Sequence, residues 1–471
     1  MSVYAELAAL VGPHAVLDGT SDAARPYLTD WRKRYHGSAQ AVVLPTSTAE
    51  TVAVVRYCAQ HGIPMVPQGG NTGLCGGAAA TIDPRAVVIN LQRMQAIRHI
   101  DSANQTLTAE AGCILQNLQQ AAADAGWLYP LSMGSEGSCT LGGNLGTNAG
   151  GTQVLRYGNT RELCLGLEVV TPTGEIYSNL GGLRKDNTGY DLRHLFIGAE
   201  GTLGIITAAT MKLFPPPKIQ LTAWAAVPSV EAAVQLLGLA RHHLHDGLTG
   251  FEMMGQFALS LVDKHFPQLQ VPLWQDSPYC VLLELSDSES QEHANAQFES
   301  LLEQALEQDI ITDAVIADSL QRAQALWHIR ESISLAQSEE GLNIKHDISV
   351  PISAIPQFVA TTDALLHARI PGVRIVNFGH LGDGNLHYNI QAPEGQDPQR
   401  FLQDYEPTIN TLVFDAVHQL GGSISAEHGI GLLKRDTLPL YKSPVALHMM
   451  HAIKKALDPQ GLMNPGKVLA P

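Results

Sequence analysis

The sequence is short of paired cysteines, of positive charge and of long apolar runs. Its six cysteines are dispersed among 471 residues without a CxxC motif, which excludes a dense disulfide framework and predicts reduced thiols. The 29 lysines and arginines are outnumbered by 45 aspartates and glutamates, for a formal charge of −16. This balance argues against a nucleic-acid partner, because binding phosphates requires a basic face. No uninterrupted apolar run reaches about 18 residues, so we predict no membrane-spanning helix.

The N-terminus, which reads Met-Ser-Val-Tyr-Ala-Glu-Leu, also lacks the basic region and apolar block of a secretory signal. A chain of this length is expected to hold about three domain-sized units. Hydrophobic residues make up 45% of it, which is ample for packed cores. We therefore expect a globular protein of a bacterial cytoplasm or, in a eukaryote, of the mitochondrial matrix.

One segment, Val66–Ala78, has five glycines in thirteen residues. Successive N–H groups in such a turn form a concave anion site, and the missing Cβ atoms let a pyrophosphate approach the main chain. No Gly-Lys-Ser/Thr follows, which excludes the Walker loop. A strand-like run, Ala86–Leu91, follows where the Rossmann fingerprint requires a helix. The loop is thus predicted to join strand to strand, and the alternative is a flexible surface loop.

A second glycine-rich block, Met133–Gly151, has seven glycines with Ser, Thr and Asn between them. It offers small hydrogen-bonding groups without bulk. Two such blocks in one domain suit an elongated cofactor, with one block at its pyrophosphate and the other along a flat ring system.

The apolar periodicity predicts helices and strands in α+β alternation, without the regular βαβ spacing of a doubly wound sheet. Three prolines, Pro215–Pro217, mark a domain boundary because they continue neither a helix nor an inner strand. Beyond it, strands and helices again alternate, which predicts an α+β domain with an antiparallel sheet. The predicted helices are Thr48–Gly62, Leu115–Ala125, Val230–His243 and Ser290–Gln308, and the predicted strands are Ile63–Val66, Ala86–Leu91, Ile97–Asp101, Thr106–Ala109, Leu221–Val227 and Tyr279–Leu285.

Two basic residues, Arg330 in a helical stretch and Lys345 in a strand-like one, stand out in this acidic chain. Arginine grips a carboxylate with two parallel hydrogen bonds and lysine supplies a point charge, so the pair suits an anionic substrate. The alternative is ordinary salt bridging at the surface.

Histidines and a glutamate form a candidate metal set. His380 and His387 flank a Gly-Asp-Gly turn, in which Asp383 is expected only to shape the backbone, and Glu427 precedes His428 near further glycines. Two imidazoles and a carboxylate suit Zn²⁺, with Mn²⁺ or Fe²⁺ as alternatives. The competing interpretation is core histidines with hydrogen-bond partners. A separate run, His242, His243 and His245, is interpreted as a solvated helix face.

The chain resembles the vanillyl-alcohol oxidase / p-cresol methylhydroxylase flavoproteins. The resemblance is carried by the order and spacing of the two glycine blocks and of three later segments, Arg156–Gly174, Lys185–Leu192 and Gly198–Thr207. The resemblance runs from about Val42 to Val468 and is to the branch of FAD-linked D-2-hydroxyacid dehydrogenases. Some relatives attach the flavin through His or Cys in the first loop. Asn71 and Thr72 stand there in this chain, so the resemblance implies noncovalent FAD and a structural Cys75.

The same resemblance implies an α+β fold: an FAD-binding domain over residues 1–214, a cap or substrate domain over 215–424, and a C-terminal segment, 425–471, that returns to the flavin domain. For the cofactor it implies the residues Pro67, Gly69, Gly70, Asn71, Thr72, Gly73, Leu74, Ser138, Gly142, Gly143, Asn144, Thr147, Asn148, Gly201, Gly204, Ile206 and Asn464.

For the reaction, the resemblance implies a metal held by His380, His387 and Glu427, and a substrate bound by Arg330, Ser334, Lys345, Asn389 and His428. The family's usual residue at position 334 is Thr, so Ser334 keeps the hydroxyl and lacks a methyl group. The metal would hold the substrate hydroxyl, His428 would act as the base, and FAD N5 would take the hydride from Cα.

The second carboxylate that Arg330 and Lys345 suggest favours D-2-hydroxyglutarate, ahead of D-lactate or glycolate. The rival functions are a flavin-binding subunit without its own catalysis and a metal- or nucleotide-binding structural protein. No nicotinamide site is apparent, which implies an external electron acceptor such as electron-transferring flavoprotein or a quinone. The oligomeric state stays open, and a homodimer is among the alternatives.

Overall fold

Two units with separate hydrophobic cores make up residues 2–470, which are the residues that the computed structural model describes. The first unit comprises residues 2–151, 157–216 and 427–470, and the second comprises 152–156 and 217–426.

The helices, in chain order, are α1 (Val3–Val11), α2 (Arg25–Leu28), α3 (Thr48–His61), α4 (Leu115–Asp124), α5 (Leu141–Thr147), α6 (Val154–Tyr157), α7 (Thr160–Leu163), α8 (Arg193–Phe196), α9 (Val230–Leu244), α10 (Gln256–His265), α11 (Gln291–Glu307), α12 (Leu320–Glu340), α13 (Ile355–Arg369), α14 (Pro398–Gln419), α15 (Leu438–Tyr441) and α16 (Pro444–Leu457). Short 3₁₀ turns lie at Pro13–Ala15, Asp22–Ala24, His245–Gly247, Pro267–Leu269, Ile352–Ala354 and Leu381–Asp383. Among residues 2–470, none of these helices combines the length and the apolarity that crossing a membrane requires.

The first unit has two sheets. A four-stranded sheet has the order β1-β2-β4-β3, and a five-stranded antiparallel sheet has the order β5-β6-β9-β7-β8. In the four-stranded sheet, β2 and β3 run parallel to β4, and β1 is antiparallel to β2. The strands are β1 (Val16–Asp18), β2 (Ala41–Val43), β3 (Met65–Gln68), β4 (Val87–Asn90), β5 (Ile97–Asp101), β6 (Thr106–Glu110), β7 (Cys164–Val170), β8 (Ile176–Asn179) and β9 (Ile205–Lys212).

The second unit is built on one antiparallel sheet with the order β13-β10-β12-β11-β16-β17-β14, in which β15 also pairs with β17. The antiparallel sheet predicted for this part of the chain is confirmed. Its strands are β10 (Ile219–Val227), β11 (Leu248–Gly255), β12 (Tyr279–Asp287), β13 (Asp313–Ile316), β14 (Asn343–Ile344), β15 (Asp347–Ser349), β16 (Arg374–Gly379) and β17 (Asn385–Gln391).

The ends of α3 show why the local sequence signals were reliable. Ser47 caps the helix, its side chain accepting from the Glu50 N–H at 3.2 Å, and Gly62 ends it in the left-handed region at φ 63°. A capping hydroxyl and a left-handed glycine satisfy backbone groups that a helix end would otherwise leave unpaired. The prediction of a helix over Thr48–Gly62 is confirmed, as is the strand-to-strand course of the glycine loop between β3 and β4.

The C-terminal segment of the first unit joins the four-stranded sheet. The Met65 N–H donates to the Leu462 carbonyl at 2.8 Å, and the Asn464 N–H donates to the Met65 carbonyl at 2.7 Å. Met463 is fully buried in the core of this unit. The segment therefore lies alongside β3, the strand that leads into the glycine loop.

All six cysteines are buried, and none forms a disulfide within residues 2–470, so the exclusion of a disulfide framework is confirmed. Burial raises the pKa of Cys58 and of Cys164 to about 12 each, which keeps these thiols protonated and unreactive. The compartment stays a prediction.

Candidate active site

The first glycine loop starts from a fixed polar anchor at the end of β3. Asn90, on the neighbouring strand β4, donates through Nδ2 to the Gln68 Oε1 at 3.0 Å and to the Gly69 carbonyl at 2.9 Å. Gln68 in turn donates through Nε2 to the carbonyls of Tyr27 at 2.9 Å and Ala78 at 3.0 Å. Both ends of the loop are thereby held in place, as a preorganised ligand loop requires.

The two glycine-rich blocks pack directly against each other. A β-carbon at Gly69 would lie 2.4 Å from Thr140 Oγ1, and one at Gly70 would lie 2.1 Å from the Ser138 carbonyl oxygen. Side chains at these positions are therefore sterically excluded. A β-carbon at Gly73 would meet nothing within 4 Å, so this glycine faces open space on the protein side. Asn71, at φ 54°, is tied back by its Nδ2, which donates to the Thr29 carbonyl at 2.8 Å.

The second block contains a helix, α5, that the sequence did not indicate. Gly142 lies so close to Ala111, the residue after β6, that its β-carbon would be 2.7 Å from Ala111 Cβ. Asn148 ends the helix in the left-handed region at φ 52°, and its Oδ1 accepts from the Arg161 N–H at 2.9 Å. Gly143, Asn144 and Thr147 lie on α5, where the Thr147 hydroxyl donates to the Gly143 carbonyl at 3.2 Å.

The residues of the third predicted cofactor segment, Gly201–Ile206, pack against different parts of the first unit. Gly201, at φ 68°, approaches Pro67, whose Cγ would lie 3.1 Å from a β-carbon at position 201. Gly204 lies against Val169, and Ile206 belongs to the hydrophobic core of the unit. Between these segments, the Glu200 carboxylate accepts from the N–H groups of Ile430 at 2.7 Å and Gly431 at 2.8 Å. Burial raises the pKa of Glu200, although these two N–H groups counteract the rise.

Three buried polar atoms beside these segments have no hydrogen-bond partner within residues 2–470: Thr140 Oγ1, Asn464 Oδ1 and Lys467 Nζ. Asn464 and Lys467 are 1% and 2% exposed, and Asn464 and Val468 take left-handed backbone angles of φ 44° and 62°. Unsatisfied buried groups and strained non-glycine residues are costly and cluster at ligand sites. A hydroxyl, an amide oxygen and an ammonium beside a glycine-lined loop fit a cofactor that carries phosphates and a polar ring. Asn464 is among the predicted cofactor residues, and Lys467 is not.

In the second unit, the predicted substrate residue Arg330 is buried and paired. Its Nε donates to Glu252 Oε2 at 2.8 Å, and its Nη2 lies 2.7 Å from the same oxygen. Its Cζ also lies 5.0 Å from the centroid of the Phe378 ring. Neither contact with Glu252 uses Nη1. The Nε–Nη2 edge of the guanidinium is therefore held by Glu252, and Nη1 is left out of this ion pair.

The other oxygen of Glu252 holds the predicted metal ligand His380, with 2.6 Å between Oε1 and Nδ1. Glu252 is 1% exposed, Arg330 7% and His380 8%. Burial alone would raise the pKa of Glu252, but the adjacent His380 and Arg330 charges and hydrogen bonds outweigh it and hold that pKa well below its ordinary value. The carboxylate therefore accepts from both neighbours at once.

The second predicted metal ligand of this unit lies next to the first. The rings of His380 and His387 are 5.5 Å apart between centroids. Asp347, which faces His387 across the β15–β17 ladder, has its Oδ1 3.8 Å from His387 Nδ1 and accepts from Asn385 Nδ2 at 2.9 Å. Both imidazoles thus have a carboxylate on the Nδ1 side, an arrangement typical of histidines that bind a metal through Nε2. This donor chemistry fits a divalent ion.

The remaining predicted substrate residues of the second unit differ in exposure. Ser334 is exposed on α12, one turn beyond Arg330, and Lys345 is half-buried between β14 and β15. Asn389 is 4% exposed, and its amide is engaged: Oδ1 accepts from the His346 N–H at 3.0 Å, and Nδ2 donates to Gln337 Oε1 at 2.9 Å. Asp383 accepts from the Asn385 N–H at 3.0 Å and so shapes the turn between β16 and β17.

Glu427 and His428 belong to the first unit, where both are half-buried. The Glu427 Oε1 accepts from the Gly151 N–H at 2.8 Å, at the end of the second glycine block. In the histidine run near α9, His243 Nε2 pairs with Gln304 Oε1 at 2.6 Å.

Glu252 and Asp347 were not identified from the sequence. The signal for Glu252 was nevertheless present, because it is the one charged residue in β11, a strand that is buried at every position from Leu248 to Gly255. A lone carboxylate in such a strand requires a buried partner.

The fold that carries these groups matches that of known flavoproteins. The chain superimposes on p-cresol methylhydroxylase with bound substrate at a TM-score of 0.78 and 18% identity, covering 99% of this chain and 96% of that one. This likeness confirms the predicted α+β fold class.

The sequence comparisons define the family. A model described as "FAD binding domain" matches residues 39–178, and one described as "FAD linked oxidases, C-terminal domain" matches residues 216–468. The chain is 39% identical over 442 residues to the mitochondrial D-2-hydroxyglutarate dehydrogenase of Arabidopsis thaliana, covering 94% of this chain and 77% of that protein. It is 39% identical over 467 residues to the D-2-hydroxyglutarate dehydrogenase of Stutzerimonas stutzeri, covering 99% and 98%. The chain belongs to the FAD-linked oxidase family and is an FAD-dependent oxidoreductase, which confirms the family predicted from its motifs.

Proposed function

We propose that the protein oxidises a D-2-hydroxy acid to the 2-oxo acid, with D-2-hydroxyglutarate as its substrate, noncovalent FAD as the oxidant and a divalent metal, Zn²⁺ in the first place, as Lewis acid. The observation that carries this proposal is the buried Glu252–Arg330–His380 cluster, which places a fixed cation beside a candidate metal ligand. An α-hydroxy carboxylate is a substrate that needs both. The relatives named as D-2-hydroxyglutarate dehydrogenases support the choice of substrate.

The substrate carboxylates are assigned to Arg330 and Lys345. Because Arg330 uses Nε and Nη2 for Glu252, it offers its Nη1 side to the substrate, and Lys345 adds a second positive charge. Ser334 supplies a hydroxyl from the next turn of α12. Asn389 acts by holding the His346 backbone, and with it the segment that carries Lys345.

The metal is assigned to His380, His387 and Glu427. When bound, it would lower the pKa of the substrate hydroxyl. His428 takes the hydroxyl proton as general base, since imidazole titrates near neutral pH. FAD, when bound, supplies the hydride acceptor. The residues assigned to FAD are those predicted from the two glycine blocks, Gly201–Ile206 and Asn464. The glycines among them leave room for the cofactor, and the first loop holds it without a covalent bond at Asn71 or Thr72.

Anaerobic flavin reduction tests the proposal. The holoenzyme is mixed with D-2-hydroxyglutarate, L-2-hydroxyglutarate, D-lactate or glycolate, and the flavin absorbance is followed. We expect rapid bleaching by D-2-hydroxyglutarate, slower bleaching by D-lactate and none by the L-enantiomer. Equal efficiency with D-lactate would overturn the choice of substrate, and no bleaching by any acid would favour a flavin-binding subunit without its own catalysis.

The variant Lys345→Ala separates the dicarboxylate from the monocarboxylate. If Lys345 binds the distal carboxylate, the variant should lose about tenfold or more in kcat/KM for D-2-hydroxyglutarate and little for D-lactate. Equal losses for both acids would contradict this assignment. Electrons then pass to an external carrier, which we propose to be electron-transferring flavoprotein or a quinone.

A further inference from the structure

Glu252 contacts two residues that have separate roles in the proposed mechanism, Arg330 for the substrate and His380 for the metal. The strand β11 places Glu252 beside β16, with Met253 opposite Gly379, the residue before His380. Helix α12 brings Arg330 to the same carboxylate. Each oxygen of Glu252 has one partner: Oε1 has His380 Nδ1 at 2.6 Å, and Oε2 has Arg330 Nε at 2.8 Å.

The contact with Glu252 determines which nitrogen of the His380 ring carries the proton. An ionised carboxylate only accepts hydrogen bonds, so the proton of His380 must be on Nδ1. In the neutral ring, this tautomer leaves the Nε2 lone pair for a metal. Metal-binding histidines use such a carboxylate partner to set ring orientation and basicity, and its removal typically costs 10–100-fold in metal affinity.

The same carboxylate also fixes the arginine. A guanidinium held at one edge by a buried carboxylate, and against the Phe378 ring 5.0 Å away, loses little further freedom when an anion binds its other edge. Removing the carboxylate would leave a buried cation without a partner, and the guanidinium would reorient.

We propose that Glu252 is a positioning residue that couples the two halves of the substrate site, holding His380 in the Nδ1–H tautomer for the metal and Arg330 in the orientation that receives the substrate carboxylate. This inference rests on the proposed function. It adds a residue that acts through Arg330 and His380, and it predicts that one substitution changes metal affinity and KM together.

Glu252→Gln is the decisive variant because an amide cannot serve both neighbours. If its oxygen faces Arg330, its NH₂ faces His380 Nδ1 and favours the tautomer with the proton on Nε2, which leaves no lone pair on Nε2 for a metal. If its oxygen faces His380, its NH₂ faces a guanidinium, and the hydrogen bond to Arg330 is lost. One contact fails in either orientation.

The matched control is Glu284→Gln. Glu284 is also buried in this sheet, on the neighbouring strand β12, but its carboxylate accepts from Thr249 Oγ1 and Trp327 Nε1, both at 2.9 Å. Burial raises the pKa of Glu284, so a neutral amide is a close substitute. This variant removes a buried carboxylic acid without touching His380 or Arg330.

The experiment measures Zn²⁺ affinity by chelator competition, FAD content by absorbance, and KM and kcat for D-2-hydroxyglutarate. For Glu252→Gln we expect a 10–100-fold loss of Zn²⁺ affinity and a raised KM with unchanged FAD content, while Glu284→Gln behaves like the parent. Glu252→Asp keeps the charge and should recover part of both losses. If Glu252→Gln binds Zn²⁺ and substrate within twofold of the parent, the proposal is wrong.

A direct measurement on the parent protein does not depend on the variants folding. The ¹⁵N chemical shifts of the His380 ring, assigned by comparison with His380→Asn, should report a proton on Nδ1 in the metal-free protein. A neutral ring with its proton on Nε2 alone would overturn the proposal. Failure of the proposed function can be distinguished from failure of the Glu252 proposal. In the first case the parent protein itself would bind no Zn²⁺, or its flavin would stay oxidised with every hydroxy acid.

Discussion

At the scale of single residues, Lys467 carries a buried charge that lowers the stability of the folded chain unless an anion compensates it. Its ammonium is 2% exposed and has no hydrogen-bond partner within residues 2–470. Burial, and to a smaller extent the nearby Arg435 charge, lowers the pKa of Lys467 to about 8, although Glu200 acts in the opposite direction. Burying a cation is unfavourable unless an anion compensates it, and a phosphate-containing cofactor supplies such an anion.

The variant Lys467→Met should therefore stabilise the FAD-free protein at pH 7. A folded-state pKa below the unfolded value means that the unfolded chain binds more protons above pH 8, so the stability of the parent rises between about pH 8 and pH 10.5. The advantage of the variant, roughly 1–3 kcal/mol at pH 7, should shrink over this window. Thermal midpoints of both proteins at pH 7 and pH 9.5 test this.

The control for this measurement is Lys455→Met, which changes an exposed lysine of α16. It should shift the midpoint little at either pH. An advantage of Lys467→Met that is the same at pH 7 and pH 9.5 would show that the effect is not electrostatic.

At the scale of elements, glycines in the first loop can be required for two different reasons, namely close packing within the protein and close approach of a ligand. Gly70 is required by the fold, because a β-carbon there would lie 2.1 Å from a backbone carbonyl oxygen, whereas a β-carbon at Gly73 would meet no protein atom within 4 Å. If Gly73 lies against the cofactor, only ligand binding requires it to be glycine.

Gly73→Ala is thus expected to leave the thermal midpoint of the FAD-free protein unchanged and to weaken FAD binding about tenfold, or 1.4 kcal/mol. Gly70→Ala should lower the midpoint of the FAD-free protein itself, with a cost of about 1–3 kcal/mol for overpacking. FAD titration of the apoprotein by flavin fluorescence, together with thermal unfolding, checks both. Unchanged FAD affinity in Gly73→Ala would remove this loop from the cofactor site.

A charged anchor at the end of α12 holds three elements of the second unit together. Glu340, whose side chain is 8% exposed, pairs with Lys264 at 2.6 Å, His265 at 2.8 Å and Arg374 at 2.6 Å, on α10 and β16. Burial by itself would raise the pKa of Glu340, but the hydrogen bonds from these three residues lower it to about 2.

Glu340→Gln should lower the free energy of unfolding at pH 7 by roughly 1–3 kcal/mol. Because the folded pKa is depressed, this contribution is fully present above the ordinary value of about 4.5 and is lost as the pH falls towards 2. Urea unfolding at pH 7, 5 and 3 should show the difference between parent and variant shrinking only at the lowest pH. Glu339→Gln, at an exposed position next to it, should have little effect, and a pH-independent loss in Glu340→Gln would contradict the electrostatic explanation.

At the scale of the whole molecule, the residues assigned to FAD differ from those assigned to the metal, so the two should be separable. Treatment with EDTA should leave FAD bound, because the glycine loops and the Asn464 region include none of the proposed metal ligands. It should slow flavin reduction by D-2-hydroxyglutarate at least tenfold, and Zn²⁺ should restore the rate. Stopped-flow absorbance under anaerobic conditions measures this, and an unchanged rate in metal-free protein would exclude a catalytic metal.

Much of this molecule follows from local sequence. The helix Thr48–His61 has its cap at Ser47 and its stop at Gly62, and the strand-to-strand course of the first loop follows from the run after it. By contrast, α5 was missed, because a Leu-Gly-Gly-Asn-Leu-Gly-Thr segment has poor helix propensity. Its close packing against Ala111 and its left-handed cap at Asn148 stabilise it instead.

The sequence by itself determined the family and its FAD cofactor, because glycine blocks and their order are local and specific. The noncovalent attachment and the site residues stay predictions. Only the tertiary structure revealed how the site is held. Glu252 contacts Arg330 and His380, which lie 78 and 128 positions away in the sequence. A local sequence pattern cannot predict contacts between residues so far apart in the chain. Strand order and burial bring these groups together, since a buried carboxylate is stable only where the fold delivers its partners.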